Sequence, residues 1–163
     1  MTGKVAEKQT PTDLKKLVDN QPVVAAIAIP ECLKDAYKVD KDKILPNCLC
    51  PAGSGKTNIL KEFVTIVGFD TTKVLDGDAY AQCSGYWIAR HSWGNEYGKD
   101  GIIRLCILKD GETTNKKTKK TKRVPDRSGV CKVQELIFYP DLEYVPKPPP
   151  TPQPKSNANV AAR

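Results

Sequence analysis

The alternation of hydrophobic and polar positions is most regular between residues 86 and 108, which begin YWIARHSWGNEYGKDGIIRL. Aromatic and β-branched residues at 86–90 alternate with polar ones, Gly98 and Gly101 permit tight bends, and apolar positions resume at 102–108. This pattern predicts two antiparallel strands joined by a glycine-containing turn. Upstream, VVAAIAI at 23–29 is a continuous apolar run between Pro22 and Pro30, short enough for a buried strand. FVTIVGF at 63–69 predicts a strand that runs into a glycine bend, and residues 133–139 predict a closing strand. Ahead of all of these, Thr12, Asp13, Leu14, Leu17 and Val18 have the spacing of a short capped amphipathic helix, ended by Asn20, Gln21 and Pro22.

The remaining stretches lack such periodicity. Residues 1–11 are polar and read as a flexible arm. Residues 30–58 read as an irregular charged loop with Tyr37 and Ile44-Leu45 as isolated anchors, 112–128 as a solvated basic insertion, and 141–163 as a proline-rich tail. The expected fold is α+β and mainly β, an antiparallel sheet or partial barrel with a short N-terminal helix, occupying residues 12–140. The insertion is expected to interrupt a hairpin whose arms, 102–108 and 133–139, pair without it.

Charge adds a partner class to this picture. The 163 residues carry 26 Lys and Arg against 19 Asp and Glu, a formal charge of +7, and are enough for one core with tails. A basic surface favours acidic partners: an acidic protein assembly first, cytoskeletal or another large complex, with nucleic acid as a further possibility. The expected contact is the cluster Lys116, Lys117, Lys119, Lys120, Lys122 and Arg123. No run approaches the ~18 apolar residues that a membrane span needs, and MTGKVAEKQT has no apolar centre of the signal-peptide kind. With Met1 as the native start this implies an intracellular protein, whereas a processed fragment would be endolysosomal or secreted. Cys48, Cys50, Cys83, Cys106 and Cys131, with a single histidine in the chain, are poorly spaced for zinc. Buried thiols or disulfides are expected, and no metal or other cofactor.

GSGKT at 53–57 spells the end of a phosphate-binding loop. Such a loop needs a buried strand before it, a glycine where Cys50 stands, and a helix after it whose N-terminus meets the phosphates. Pro46, two cysteines and Pro51 precede it instead, so a flexible Gly-Ser-Lys loop is expected.

Four ordered landmarks carry a resemblance. SWGxxYGxxGxxRL after a Tyr-Trp-Ile strand resembles the segment of papain-like cysteine proteases that holds the active-site asparagine and its covering tryptophan. EFVTIVGF at 62–69 is similar to the HAVxxVGY strand whose first residue is the catalytic histidine, and a short helix leading into Gln-Pro-Val and an apolar strand resembles the start of the right-hand domain. GVCKVQELIFYP at 129–140 is similar to the closing strand. CSGYW at 83–87 is only superficially like the CGSCW around the family's nucleophile, since its order is wrong and it begins a strand.

The resemblance covers residues 12–140 and the right-hand, histidine- and asparagine-bearing half alone, with no room for the left-hand helix that carries the cysteine. It puts Glu62 at the histidine position and His91 at the asparagine position, keeps the covering Trp93, and implies a disulfide of Cys131 with Cys50, ahead of Cys48. A carboxylate beside a thiol raises its pKa where an imidazolium lowers it. The expectation is therefore a chain that is not an enzyme: a catalytically inactive half-domain serving as a structural or interaction subunit through its basic loop and tails. The alternative is a heavy-chain fragment of a two-chain cysteine protease completed by a separate left-hand chain. A direct Glu62–His91 contact is expected, a swapped form of the family's His–Asn pair.

Overall fold

A computed structural model describes residues 3–50, 52, 53, 55, 58–72, 75, 78–109, 112–114, 121–123 and 128–141. Strand β1 (Gly3–Glu7) is followed by helix α1 (Pro11–Asn20), strand β2 (Val23–Pro30), helix α2 (Glu31–Val39), the short β3 (Ile44–Leu45) and the long β4 (Ile59–Asp70). Then come β5 (Cys83–Arg90), β6 (Ile102–Leu108), β7 (Glu112–Thr114), β8 (Thr121–Arg123) and β9 (Leu136–Pro140). Seven strands form one sheet in the order β1-β9-β2-β4-β5-β6-β3, and β7 pairs with β8 as a separate ribbon. Every pairing is antiparallel except β3 with β6. The fold is thus mainly β with two helices.

Residues 11–20 are helical because Pro11 opens the first turn and the Thr10 hydroxyl accepts from the Asp13 N–H, two residues earlier than the cap read from the sequence. Leu14 and Val18, one turn apart, are its buried residues. In β2, Val23, Ala25, Ile27 and Ile29 face the core while Val24, Ala26 and Ala28 alternate outward, a one-sided strand although its sequence is apolar throughout. Trp87 of β5 is fully buried and meets Phe69 edge to face at 5.9 Å.

Several expectations are corrected. Residues 3–7, within the expected arm, form β1 because they complete the backbone ladder of β9 from Gly3–Pro140 to Glu7–Leu136. The stretch after Pro30, expected to be irregular, begins with α2: Leu33 and Tyr37 bury one stripe, Glu31 sits in the first turn and Lys38 in the last. The strands at 102–108 and 133–139 do not pair. β6 lies between β5 and β3, β9 lies between β1 and β2, and residues 130–132 form a 3-10 turn ahead of β9. Closing on β2 lets Ile137 pack into the core beside Ala25, its register partner.

All six cysteines are paired: Cys32–Cys50, Cys48–Cys131 and Cys83–Cys106. The expected Cys50–Cys131 bridge is therefore replaced by Cys48–Cys131, since α2, unseen in the sequence, brings Cys32 to Cys50 with Cα atoms 6.0 Å apart.

Candidate functional site

Glu62, on β4, and His91, the residue that follows the end of the adjacent β5, are the two positions singled out by the sequence resemblance. Thr65 opposes Arg90 in the β4–β5 ladder, so the next residue, His91, comes beside Val64, and Glu62 follows two residues along the same face. Glu62 is half-buried at the β2–β4 seam opposite Ile27, and His91 is buried.

His91 begins the loop that leads from β5 to β6, and both of its ring nitrogens are committed within that loop. Nδ1 accepts the backbone N–H of Trp93 at 3.0 Å, and Nε2 lies 2.9 Å from the carbonyl oxygen of Tyr97. These contacts are satisfied together only by the neutral ring with its proton on Nε2, donated to Tyr97. The expected direct contact with Glu62 is not formed, because the local backbone supplies nearer partners for each nitrogen. Burial holds the His91 pKa below the ordinary histidine value, opposed by the Tyr97 carbonyl; Lys34 and Arg90 lower it further and Glu62 raises it.

Trp93 stacks on the imidazole with ring centroids 4.4 Å apart and planes inclined by 27°. Tyr97 stands edge-on to both rings, 6.3 Å from His91 and 6.0 Å from Trp93. Two lysines one turn apart on α2 cover this aromatic group: Lys34 Nζ lies 5.0 Å from the Trp93 ring and 5.4 Å from that of Tyr97, and Lys38 Nζ lies 4.6 Å from Tyr97. Lys38 also pairs with Glu96 at 3.8 Å. Lys34 and Lys38 were missed in the sequence, whereas Tyr97 is the tyrosine of the SWGxxYG motif. The signal of the lysines was their i, i+4 spacing on the stripe next to that of Leu33 and Tyr37, visible only once residues 31–39 are read as a helix.

On the outward side of the sheet, Phe63 is 61% exposed and meets Phe138 edge to face at 6.0 Å. Val5 and Val67, 58% and 44% exposed, extend this apolar face across β1 and β4. Beside it a groove of about 480 Å³ runs along the β2–β4 seam, with Ala26, Ala28 and Phe63 among its apolar lining and Glu62, Lys61, Lys132 and Glu135 among its charged lining.

The other sequence candidates are placed as follows. The backbones of Lys122 and Arg123 belong to β8, while Lys116, Lys117, Lys119 and Lys120 lie outside the described residues. Of the GSGKT stretch, Ser54, Lys56 and Thr57 also lie outside them; β4 starts at Ile59, where a phosphate loop would need a helix. Cys83 is tied to Cys106 and cannot act as a nucleophile in that state. Among the described residues no group of three His, Cys, Asp or Glu side chains is placed to hold a metal ion.

Comparison with known proteins agrees with this geometry. Residues 2–123 match the family model described as papain family cysteine protease. The chain is similar to vignain of Vigna mungo, 28% identical over 127 residues that make up 78% of this chain and 26% of vignain. It is also similar to cysteine proteinase COT44 of Brassica napus, 28% identical over 137 residues, 84% of this chain and 31% of that protein. The chain therefore spans between a quarter and a third of the length of these curated relatives. Among solved structures, the ragweed pollen allergen Amb a 11 cysteine protease in its proform superposes with a TM-score of 0.53 at 18% identity, over 90% of this chain and 34% of that one. Recombinant stem bromelain precursor gives 0.52 at 22% identity, over 87% and 36%. These two share the fold. The expectation of a chain that is not an enzyme is overturned by these matches, since the family model and the curated relatives are those of proteases.

Proposed function

This chain belongs to the papain family of cysteine proteases, and we propose that it forms the right-hand half of a peptidase cleft whose thiol nucleophile is supplied by polypeptide outside these residues. All six of its own cysteines are in disulfides, so the thiol has to come from elsewhere. The observation that carries the reading is the open apolar sheet face beside the groove at Glu62. An exposed Phe63 backed by Phe138, with Val5 and Val67 in the same face, is what a second body covers. Within this half, Glu62 is one of three carboxylates lining the groove, with Glu7 and Glu135, and the one that the family resemblance sets at the place of the base. His91 is unsuited to that task because both ring nitrogens are already hydrogen-bonded. Three disulfides fit an oxidising setting, endolysosomal or extracellular, and among the described residues no helix is long and apolar enough to cross a membrane.

The basic segment at 112–128 adds a contact to this assembly. The six cations between Lys116 and Arg123 repel one another, and an acidic protein surface relieves that repulsion in a salt-dependent way. Nucleic acid is the competing ligand, distinguished by nuclease treatment during isolation.

Labelling the native protein, with whatever accompanies it, by an epoxide inhibitor of thiol proteases tests the proposal. A labelled cysteine in polypeptide that co-isolates with this chain is expected. Isolation of this chain without any labelled polypeptide contradicts it.

A further inference from the structure

We propose that His91 is a pH-sensitive latch on the loop that carries Trp93. The neutral ring holds the loop at two points: Nδ1 receives the Trp93 N–H and the Nε2–H is given to the Tyr97 carbonyl. Protonation places a hydrogen on Nδ1, directly facing the Trp93 N–H. One acceptor is lost and two donors then oppose each other, so the Trp93 bond must open while the Tyr97 bond is kept.

The surroundings favour this response. Lys34 of α2 lies over the Trp93 ring that stacks on His91, and Arg90 adjoins His91 at the end of β5, so a proton on the ring adds a positive charge among existing ones. Glu62 of β4 is the carboxylate that draws the proton in, and Lys38 and Glu96 neutralise each other one layer farther out. Because Trp93 stacks on the imidazole and its ring lies 5.0 Å from Lys34 Nζ, release of its backbone frees the indole from both contacts. The loop's far end stays fixed, since the Gly98 N–H remains bonded to the Tyr37 carbonyl at 2.9 Å. The Tyr97 carbonyl stays bonded to Nε2, so the segment that moves is 92–96. Low pH opens the aromatic cover, and neutral pH closes it.

The test follows the full chain by NMR from about pH 7 to about pH 4, where a histidine changes charge. His91 is the only histidine, so its ring proton signal reports its titration without ambiguity. The protection of the Trp93 amide against hydrogen exchange, corrected for the intrinsic pH dependence, is expected to fall about three- to tenfold with the His91 midpoint, the loss of one hydrogen bond. Amides of β2 and β4 are expected to keep their protection over the same range. His91→Asn and His91→Gln, two variants in case one folds poorly, are expected to remove the transition. A Trp93 amide unchanged across the His91 titration overturns the latch. So does a loss shared equally by β2 and β4, or one that persists in a folded His91 variant.

Discussion

Gly98 donates its backbone N–H to the carbonyl of Tyr37 at 2.9 Å, and by this bond α2 holds the far end of the loop that covers His91. Tyr37 is itself fully buried, and its hydroxyl donates to the Arg104 carbonyl at 2.7 Å, so helix, loop and β6 are tied at one residue. Gly98 has φ +66°. A Cβ there would run into the backbone oxygen of Ile102. Gly98→Ala is expected to lower the unfolding free energy by about 1–3 kcal/mol through backbone strain, with additional cost from the steric conflict. Urea unfolding of the variant checks this, and an unchanged midpoint contradicts the tie.

His91 also links stability to pH. Its folded pKa lies below the unfolded value of 6.5, so the folded protein refuses a proton that the unfolded chain accepts. Its contribution is complete above pH 6.5 and declines as the pH falls from there toward the lowered folded pKa. His91→Asn is expected to flatten this part of the stability profile between neutral and mildly acid pH. Thermal unfolding of both proteins across that interval measures it.

The disulfides should differ in worth. Cys48–Cys131 spans 83 residues and Cys32–Cys50 spans 18. By the chain-entropy argument, replacing the first pair with alanine costs about 4.5 kcal/mol and the second about 3 kcal/mol. Denaturant midpoints of the two double variants test the order, and peptide mapping under non-reducing conditions tests the pairing. Recovery of a Cys50–Cys131 peptide would contradict it.

Much of the sheet was legible in the sequence because its central strands carry their own signal. Alternation at 86–90, the bounded apolar run at 23–29 and the glycine bend at 68 each belong to one strand. β1 was not legible, because Gly3–Glu7 has one partly covered residue among five, and its place is fixed by backbone bonds to β9 rather than by side chains. α2 was hidden because Leu33 and Tyr37 alone mark its buried stripe within nine residues, beneath a charged surface. Strand order was equally invisible: β6 and β9 both read as plausible hairpin arms, and only the packing of Ile137 against β2 separates them. At the site, motif spacing singled out Glu62, His91 and Trp93 as candidates. The commitment of both His91 nitrogens could not, since it depends on how the 92–97 backbone curls back over the ring.

The basic segment should matter for association and not for folding. Replacing Lys116, Lys117, Lys119, Lys120, Lys122 and Arg123 by Ser and Gly is expected to leave the thermal midpoint nearly unchanged, because neither neighbour of β6 nor those of β9 come from this stretch. Recovery of partner protein at low salt should fall, and the difference should shrink at moderate salt as screening weakens the wild type. Unchanged recovery, or collapse of the fold, would remove this role.

The central claim is that this half-domain supplies the proton-accepting wall of a peptidase cleft through Glu62. Its most direct test is kcat/KM for peptide hydrolysis by the assembled peptidase, comparing wild type with Glu62→Gln and with His91→Asn. Removing a positioned general base is expected to lower the rate by about 10²–10⁴-fold in Glu62→Gln. His91→Asn, which restores the residue that the family resemblance has at this position, is expected to stay within about tenfold of wild type, since its ring only supports the loop. Equal rates for wild type and Glu62→Gln, or no hydrolysis by the assembled wild-type protein, would contradict the account.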